Sequence, residues 1–447
     1  MRMSARIVIY VSLLALSATV SIRLNKWLRG GESSLAGGST GTIWLSPSDP
    51  LETMRDVLDM MQSEYVEKVE PDGKFAAGAV RSMLYTLDDP RTRYWTIEQT
   101  KLLDRQMEGK YSGIGAVVAV VKVKRDDIEQ RRVTVIAPVP GGPADAAGIR
   151  SGDSITEIDG RWVIAYDPRL DLNRLTLRTM PDKEYRQIIK DATKKLQDGI
   201  SWPKALEQLT QSSDKPLKLT IAREGAPAPI KLTVERGEVQ VKPVAYNKLP
   251  SDLGYLRITQ FTPGAAAAVQ QALKAAGRVS GLIVDLRNNP GGPDEPGPRS
   301  VVSSASAVAG ALGLSGPLGH IVRGAKRTPI NAKAVAGVSV PTGKVAVLMN
   351  KGTSGVSEVI AAALMARAGA KLIGANSQGD SSYCKLVRLS HGAMTLTAGT
   401  FMTASGKPVP SSGLKPTYAV ATGGPRVDQD AAVAKAVAVL SGTGGRQ

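Results

Sequence analysis

The sequence predicts a multidomain protein: a helical N-terminal region, a β-rich middle and an α/β core. Three observations predict this. Apolar residues recur at intervals of three and four early in the chain, valine-rich alternation punctuated by glycine follows, and apolar strand runs then alternate with alanine-rich helical runs. At 447 residues the chain is too long for one core, and about two to four domains are expected. A hydrophobic content of 42% with 22% charged residues excludes wholesale disorder.

The N-terminus comes first. Arg2 and Arg6 precede an apolar run over residues 7–22, and Arg23, Lys26 and Arg29 follow it. The run is short for a membrane helix but fits a signal peptide or signal anchor over residues 1–29. The chain is therefore expected to be exported, periplasmic or otherwise extracytoplasmic, with anchoring in the inner membrane as the alternative to cleavage. Residues 30–47, rich in Gly and Ser, read as a flexible linker. The net charge of +17 is spread along the chain. It suits a solvated basic surface or attraction to anionic lipid or acidic peptides, and without an aromatic-basic platform it argues against nucleic acid. With Cys384 the single cysteine and only His320 and His391 as histidines, no disulfide and no dedicated metal site are expected, and no motif calls for a cofactor.

Residues 48–108 form the helical region. Leu51, Met54, Val57, Leu58, Met61 and Tyr65 share one helical face, with Ser48 or Asp49 as the cap and Pro50 at the first turn. A second helix spans residues 75–85 and ends at the turn Asp88-Asp89-Pro90. Residues 109–237 are β-rich. Tyr111-Ser112-Gly113-Ile114-Gly115 leads into a strand over residues 116–123, a charged hairpin and a second strand over residues 133–136. A short helix follows, then Gly152-Asp153-Ser154-Ile155-Thr156-Glu157-Ile158-Asp159-Gly160 as turn, strand and turn. Alone, the glycine pair would be an ordinary turn. With the second run in register, the segment resembles a PDZ domain. The resemblance implies peptide capture by strand addition, with Ser112, Gly113, Ile114 and Gly115 cradling a terminal carboxylate. A charged insertion over residues 165–200 precedes the expected groove helix at residues 202–211.

Residues 238–423 read as strands alternating with helices. Strands are expected at residues 254–258, 281–286, 344–349 and 371–374, with helices at residues 265–276 and 359–368. Loops at the carboxyl ends of such strands are where sites form. Residues 424–447 are a C-terminal segment. Tyr111-Ser112-Gly113-Ile114-Gly115, Gly254-Tyr255-Leu256-Arg257-Ile258 with Gln260-Phe261, and Asp285-Leu286-Arg287-Asn288-Asn289-Pro290-Gly291-Gly292 together resemble the C-terminal processing peptidases, also called tail-specific proteases. That resemblance covers residues 50–423. It implies an exported serine peptidase with a Ser-Lys dyad, cutting near protein C-termini presented by the PDZ domain.

The chain departs from that pattern at the dyad. In Gly352-Thr353-Ser354-Gly355-Val356-Ser357-Glu358 the nucleophile position holds Gly355. In Gln378-Gly379-Asp380-Ser381-Ser382-Tyr383-Cys384 the base position holds Asp380, and Cys384 replaces the supporting glutamine. The chemistry requires a hydroxyl beside an amine whose pKa is lowered, and none of these side chains supplies either. Ser354 and Ser357 are the fallback hydroxyls, one beside the position and one opening the next helix. The resemblance assigns oxyanion-hole N–H groups to Gly291, Gly292 and Val356. Three readings follow: a pseudopeptidase binding protein C-termini, an active peptidase with relocated groups, and a structural envelope protein using the basic insertion. A reporter active only after export, fused after residue 45, is expected to be active. A silent export reporter beside an active cytoplasmic one refutes that expectation.

Overall fold

A computed structural model describes residues 50–67, 73–125, 128–168, 182–335, 343–420 and 430–442. The signal segment and linker of the sequence reading lie outside the described residues, as do parts of the insertion and of the C-terminal segment. No helix among the described residues is long and apolar enough to cross a membrane. The chain divides into two units, residues 1–70 and 71–447. In the first, helix α1 (Pro50–Glu64) is amphipathic as its spacing predicts, and Met54, Val57 and Met60 on it are exposed.

The second unit begins with α2 (Gly73–Tyr85), β1 (Arg93–Trp95) and α3 (Ile97–Met107). Helix α3 starts at a capping box in which Thr96 and Gln99 satisfy each other's backbone N–H. Next come β2 (Lys110–Gly113), β3 (Ala116–Arg125), β4 (Ile128–Pro138), α4 (Pro143–Ala146), β5 (Ser154–Ile158) and β6 (Arg161–Trp162). The insertion contributes α5 (Asp182–Asp198), a mostly exposed helix. Then come α6 (Trp202–Thr210), β7 (Leu217–Ala222) and β8 (Ile230–Val234). The order β3-β4-β5-β7-β8, with β6 on β5, forms one sheet, and β3 is its edge. Ile114, Val133, Val135, Ile155, Leu219 and Ile221 fill the core beneath it, and Ala205 and Leu209 of α6 close it. A short ribbon joins β2 to β9 (Gly237–Gln240).

The core opens with β10 (Val244–Leu249), β11 (Leu253–Ile258), α7 (Ala265–Ala276), β12 (Gly281–Asp285), α8 (Val301–Ala311), β13 (Gly316–Arg323) and β14 (Lys326–Ala332). It continues with β15 (Val345–Met349), α9 (Val356–Ala368), β16 (Lys371–Gly374), β17 (Ser382–Leu389), β18 (Gly392–Thr403), β19 (Tyr418–Ala419) and α10 (Ala431–Leu440). The main sheet runs β10-β11-β12-β15-β16-β19, antiparallel at β10 and parallel from β11 onward. Every residue of β12 and β15 is buried. That is why both read as continuous apolar runs, as strands covered on two faces must. Helices α7, α8 and α9 pack on one face and α10 on the other. A second sheet, β1-β18-β13-β14 with β17 on β18, covers α8 and α9 from outside.

One buried ion-pair cluster fixes the loop after β12. Arg287 donates to Asp285 at 2.9 and 2.6 Å and to Asp430, the N-cap of α10, at 2.5 Å. Tyr255 donates to Asp285 at 2.6 Å. Burial works to raise the Asp285 pKa, but the charge and hydrogen bonds of Arg287 outweigh it and bring it down to about 2. A depressed carboxyl pKa stabilises the fold above the ordinary value of 3.8, and that contribution is lost as pH falls toward 2. Arg287→Met strands a buried carboxylate, so urea unfolding at pH 7 is expected to show a loss of about 3–5 kcal/mol. The deficit should shrink as the titration is taken below about pH 4, where Asp285 protonates more readily in the variant.

Candidate functional site

Two loops at the carboxyl ends of β12 and β15 meet. Asn350 Oδ1 accepts from the N–H groups of Asn288 and Gly352 at 3.0 and 2.9 Å, and its Nδ2 donates to Asn288 Oδ1 at 2.8 Å. Thr353 donates its hydroxyl to Leu286 O at 2.9 Å. Asn289, fully buried, stitches the loops again. Its Nδ2 donates to Ile258 O at 3.1 Å, and its Oδ1 accepts from Gly291 N–H at 3.1 Å and from the Ser357 hydroxyl at 2.9 Å.

Gly355 ends this turn as the N-cap of α9, with φ 58° and ψ −125°. The strand–turn–helix geometry is the strained elbow that pushes a nucleophile out of an α/β sheet. A Cβ built on Gly355 would meet nothing closer than Phe401 and Pro290 O, both at 3.9 Å. Space is therefore available for a side chain. Glycine brings no hydroxyl to this position and avoids the cost of positive φ.

Glu358, the third residue of α9, organises the backbone at both Gly355 and Asp380. Its Oε2 accepts from Gly355 N–H at 3.0 Å and Asp380 N–H at 3.1 Å. Its Oε1 accepts from the Ser377 hydroxyl at 2.5 Å and Gly379 N–H at 2.8 Å. Burial pushes its carboxyl up to about 7 even though four donors converge on it.

Asp380, at the position the resemblance assigns to the base, is held from two sides. Arg91 Nε donates to Asp380 Oδ2 at 3.0 Å, and Ser382 N–H donates to its Oδ1 at 3.0 Å. Both carboxylate oxygens are engaged. Arg91 lies 289 positions away in the turn before β1, and no spacing rule could have named it. The signal in the sequence was indirect: a partly buried acid invites a cation. Cys384 sits on β17 with Sγ 3.8 Å from the Thr397 hydroxyl, and burial pushes its thiol up to about 11. It is therefore no thiolate nucleophile at neutral pH.

The fallback hydroxyls divide. Ser357 is fully buried and spends its proton on Asn289. Ser354 precedes the elbow and is buried, and its N–H donates to Asn289 O at 3.1 Å. Of the oxyanion candidates, Gly291 N–H donates to Asn289 and Gly292 N–H to Pro290 O at 2.8 Å. Val356 opens α9, where first-turn N–H groups have no partner within the helix.

A cleft of about 460 Å³ adjoins this turn, lined by Met107, Val117, Gln260, Phe261, Gly291 and Gly292. Val117 belongs to the edge strand β3, so the PDZ-like sheet borders the cleft. Polar contacts join the two domains on either side. Ser151 donates to Asn288 at 2.8 Å and Lys351 pairs with Glu224. The PDZ-like sheet also ties to the helical region: Lys122 of β3 pairs with Asp88 at 2.5 Å, and Arg131 of β4 joins the same carboxylate. In the glycine loop, Ile114 N–H donates to Leu209 O at 2.9 Å and the Ser112 hydroxyl to Thr210 O at 2.9 Å.

Residues 252–420 match the model of peptidase family S41, and residues 102–197 match that of a PDZ domain. A carboxy-terminal-processing protease of Bartonella bacilliformis is 27% identical over 373 residues, 82% of this chain and 74% of that protein. A carboxy-terminal processing protease of Bacillus subtilis is 24% identical over 404 residues, 90% of this chain and 74% of that protein. Among solved structures, a photosystem II D1 C-terminal processing protease superposes with TM-score 0.60 at 24% identity, covering 87% of this chain and 92% of that one. That likeness extends the shared fold across the PDZ domain and the core.

The Arg91 contact changes what rebuilding the dyad requires. In Gly355→Ser with Asp380→Lys, the new amine faces the Arg91 guanidinium, and the introduced side chain carries backbone strain of about 1–3 kcal/mol. That double variant, with or without Cys384→Gln, is expected to resist a fluorophosphonate probe. Adding Arg91→Ala is expected to yield slow labelling of the hydroxyl introduced at position 355. Equal labelling with and without Arg91 would remove that residue from the argument.

Proposed function

Because the chain belongs to the C-terminal processing peptidases, an S41 core bearing a PDZ domain, we propose that it holds polypeptide as that family does and has lost the means to cut it. It is a pseudopeptidase that binds protein C-terminal tails through its PDZ domain and acts as adaptor, regulator or decoy. It works outside the cytoplasm, at the membrane or released from it, through residues 1–29. The observation that carries this reading is the pair of changes at the dyad. Gly355 occupies the elbow without a hydroxyl, and Asp380 offers a carboxylate paired with Arg91 where the family's amine would stand.

The binding half of the reading is supported by what surrounds the dyad. The elbow, the Glu358 carboxylate beneath it and the cleft against β3 are all in place. Strand β3 pairs only with β4 among the described strands, so a row of backbone N–H and C=O groups is available to an incoming strand. A client tail added there would lie beside the cleft that Gly291 and Gly292 line. The relocated-nucleophile alternative is not favoured, since the Ser357 proton is spent on Asn289 and the charged groups nearest the elbow are paired or buried.

The purified chain is expected to leave an unfolded, apolar-tailed protein intact over a long incubation and to take up no fluorophosphonate. It should bind apolar tail peptides with micromolar affinity, about −8 kcal/mol, by calorimetry. Cleavage that survives purification and disappears in Ser354→Ala overturns the silent-site reading.

A further inference from the structure

Four residues of the PDZ-like domain were expected to cradle a terminal carboxylate, and the structure occupies that cradle with the protein's own backbone. Ile114 N–H, which an incoming carboxylate would need, donates to Leu209 O at 2.9 Å. The Ser112 hydroxyl donates to Thr210 O at 2.9 Å. These acceptors are last-turn carbonyls of α6, which ends at Thr210. Such carbonyls have no donors within their helix, so the loop satisfies groups that would otherwise be orphaned.

Building on the tail-binding function proposed above, we infer that this domain takes an extended polypeptide by its backbone along β3 and does not read a free terminal carboxylate. Three further observations carry this. The end of α6 that faces the loop is the negative end of the helix dipole, which repels an anion. Among the described residues no free cation waits beside the loop either: Arg105 is paired at 2.6 Å with Glu238, which lies opposite Ser112 on β9, and Lys110 on β2 is paired with Glu108 at 3.2 Å. The loop is also packed too tightly to swing away. Ile114 is fully buried, and a Cβ at Gly113 would lie 2.1 Å from Leu209 O, so only glycine permits this approach. Strand pairing has no such obstacle, because the outer edge of β3 recognises any extended main chain, terminal or internal.

The test uses the full chain and four forms of one apolar peptide, measured by calorimetry or anisotropy. The forms are the free acid, the C-terminal amide, a version extended past the end by several residues, and a version N-methylated at alternate backbone positions. The first three are expected to bind within about twofold of one another, and the N-methylated form at least tenfold more weakly. A preference of about tenfold or more for the free acid, the size expected of a charge-assisted carboxylate cradle, overturns the inference and leaves the tail-binding function standing. Failure of all four to bind overturns the tail-binding function, and the inference with it.

Discussion

Glu358 is the group around which the site is arranged. Its carboxylate lies fully buried at the start of α9 and gathers N–H donors from Gly355, Gly379 and Asp380 and the hydroxyl of Ser377. In a low-dielectric interior each of those bonds is strong, and losing any one leaves a buried polar group unmet. The carboxylate therefore holds the elbow and the loop before β17 in fixed relation whatever side chains those positions carry. That explains how this chain keeps the turn with Gly355 and Asp380 at those positions. The geometry depends on backbone donors, and substitution at positions 355 and 380 does not remove backbone donors.

Asn289 plays the complementary part on the other loop. It ties the Asn-Asn-Pro-Gly-Gly segment to the elbow through Ser354 N–H and the Ser357 hydroxyl. Ser357, which looks like a spare catalytic group, is thus a structural member of the site. A serine counted by type alone is a potential nucleophile. One whose proton is committed to a buried amide oxygen is a strut.

Much of the core was legible because its signals are local. Strands β12 and β15 announced themselves as unbroken apolar runs, α7 by its alanine repeat, and the elbow by a glycine-rich turn between a strand and a helix. The β-rich domain was legible through glycines that must adopt positive φ, Gly113 and Gly115 among them. What escaped the sequence was set by distant partners. The outer sheet pairs Arg93, Tyr94 and Trp95 with Thr395, Met394 and Ala393. Arg91 meets Asp380 from the other end of the chain, and Leu209 O fills the glycine loop. Periodicity reports which face of an element is buried. It does not report which of several hundred residues will supply the charge or carbonyl that completes it.

The pairing of β1 with β18 has a consequence for how the molecule comes into being. Trp95 Nε1 donates to a threonine hydroxyl 300 positions later. At a synthesis rate of about 5–20 residues per second, β1 waits on the order of 15–60 s before its partner exists. Closing a loop of that span is slow, and the unpaired strand stays open to wrong partners throughout. A newborn chain of this kind gains from a holding factor that keeps β1 apart until β18 arrives.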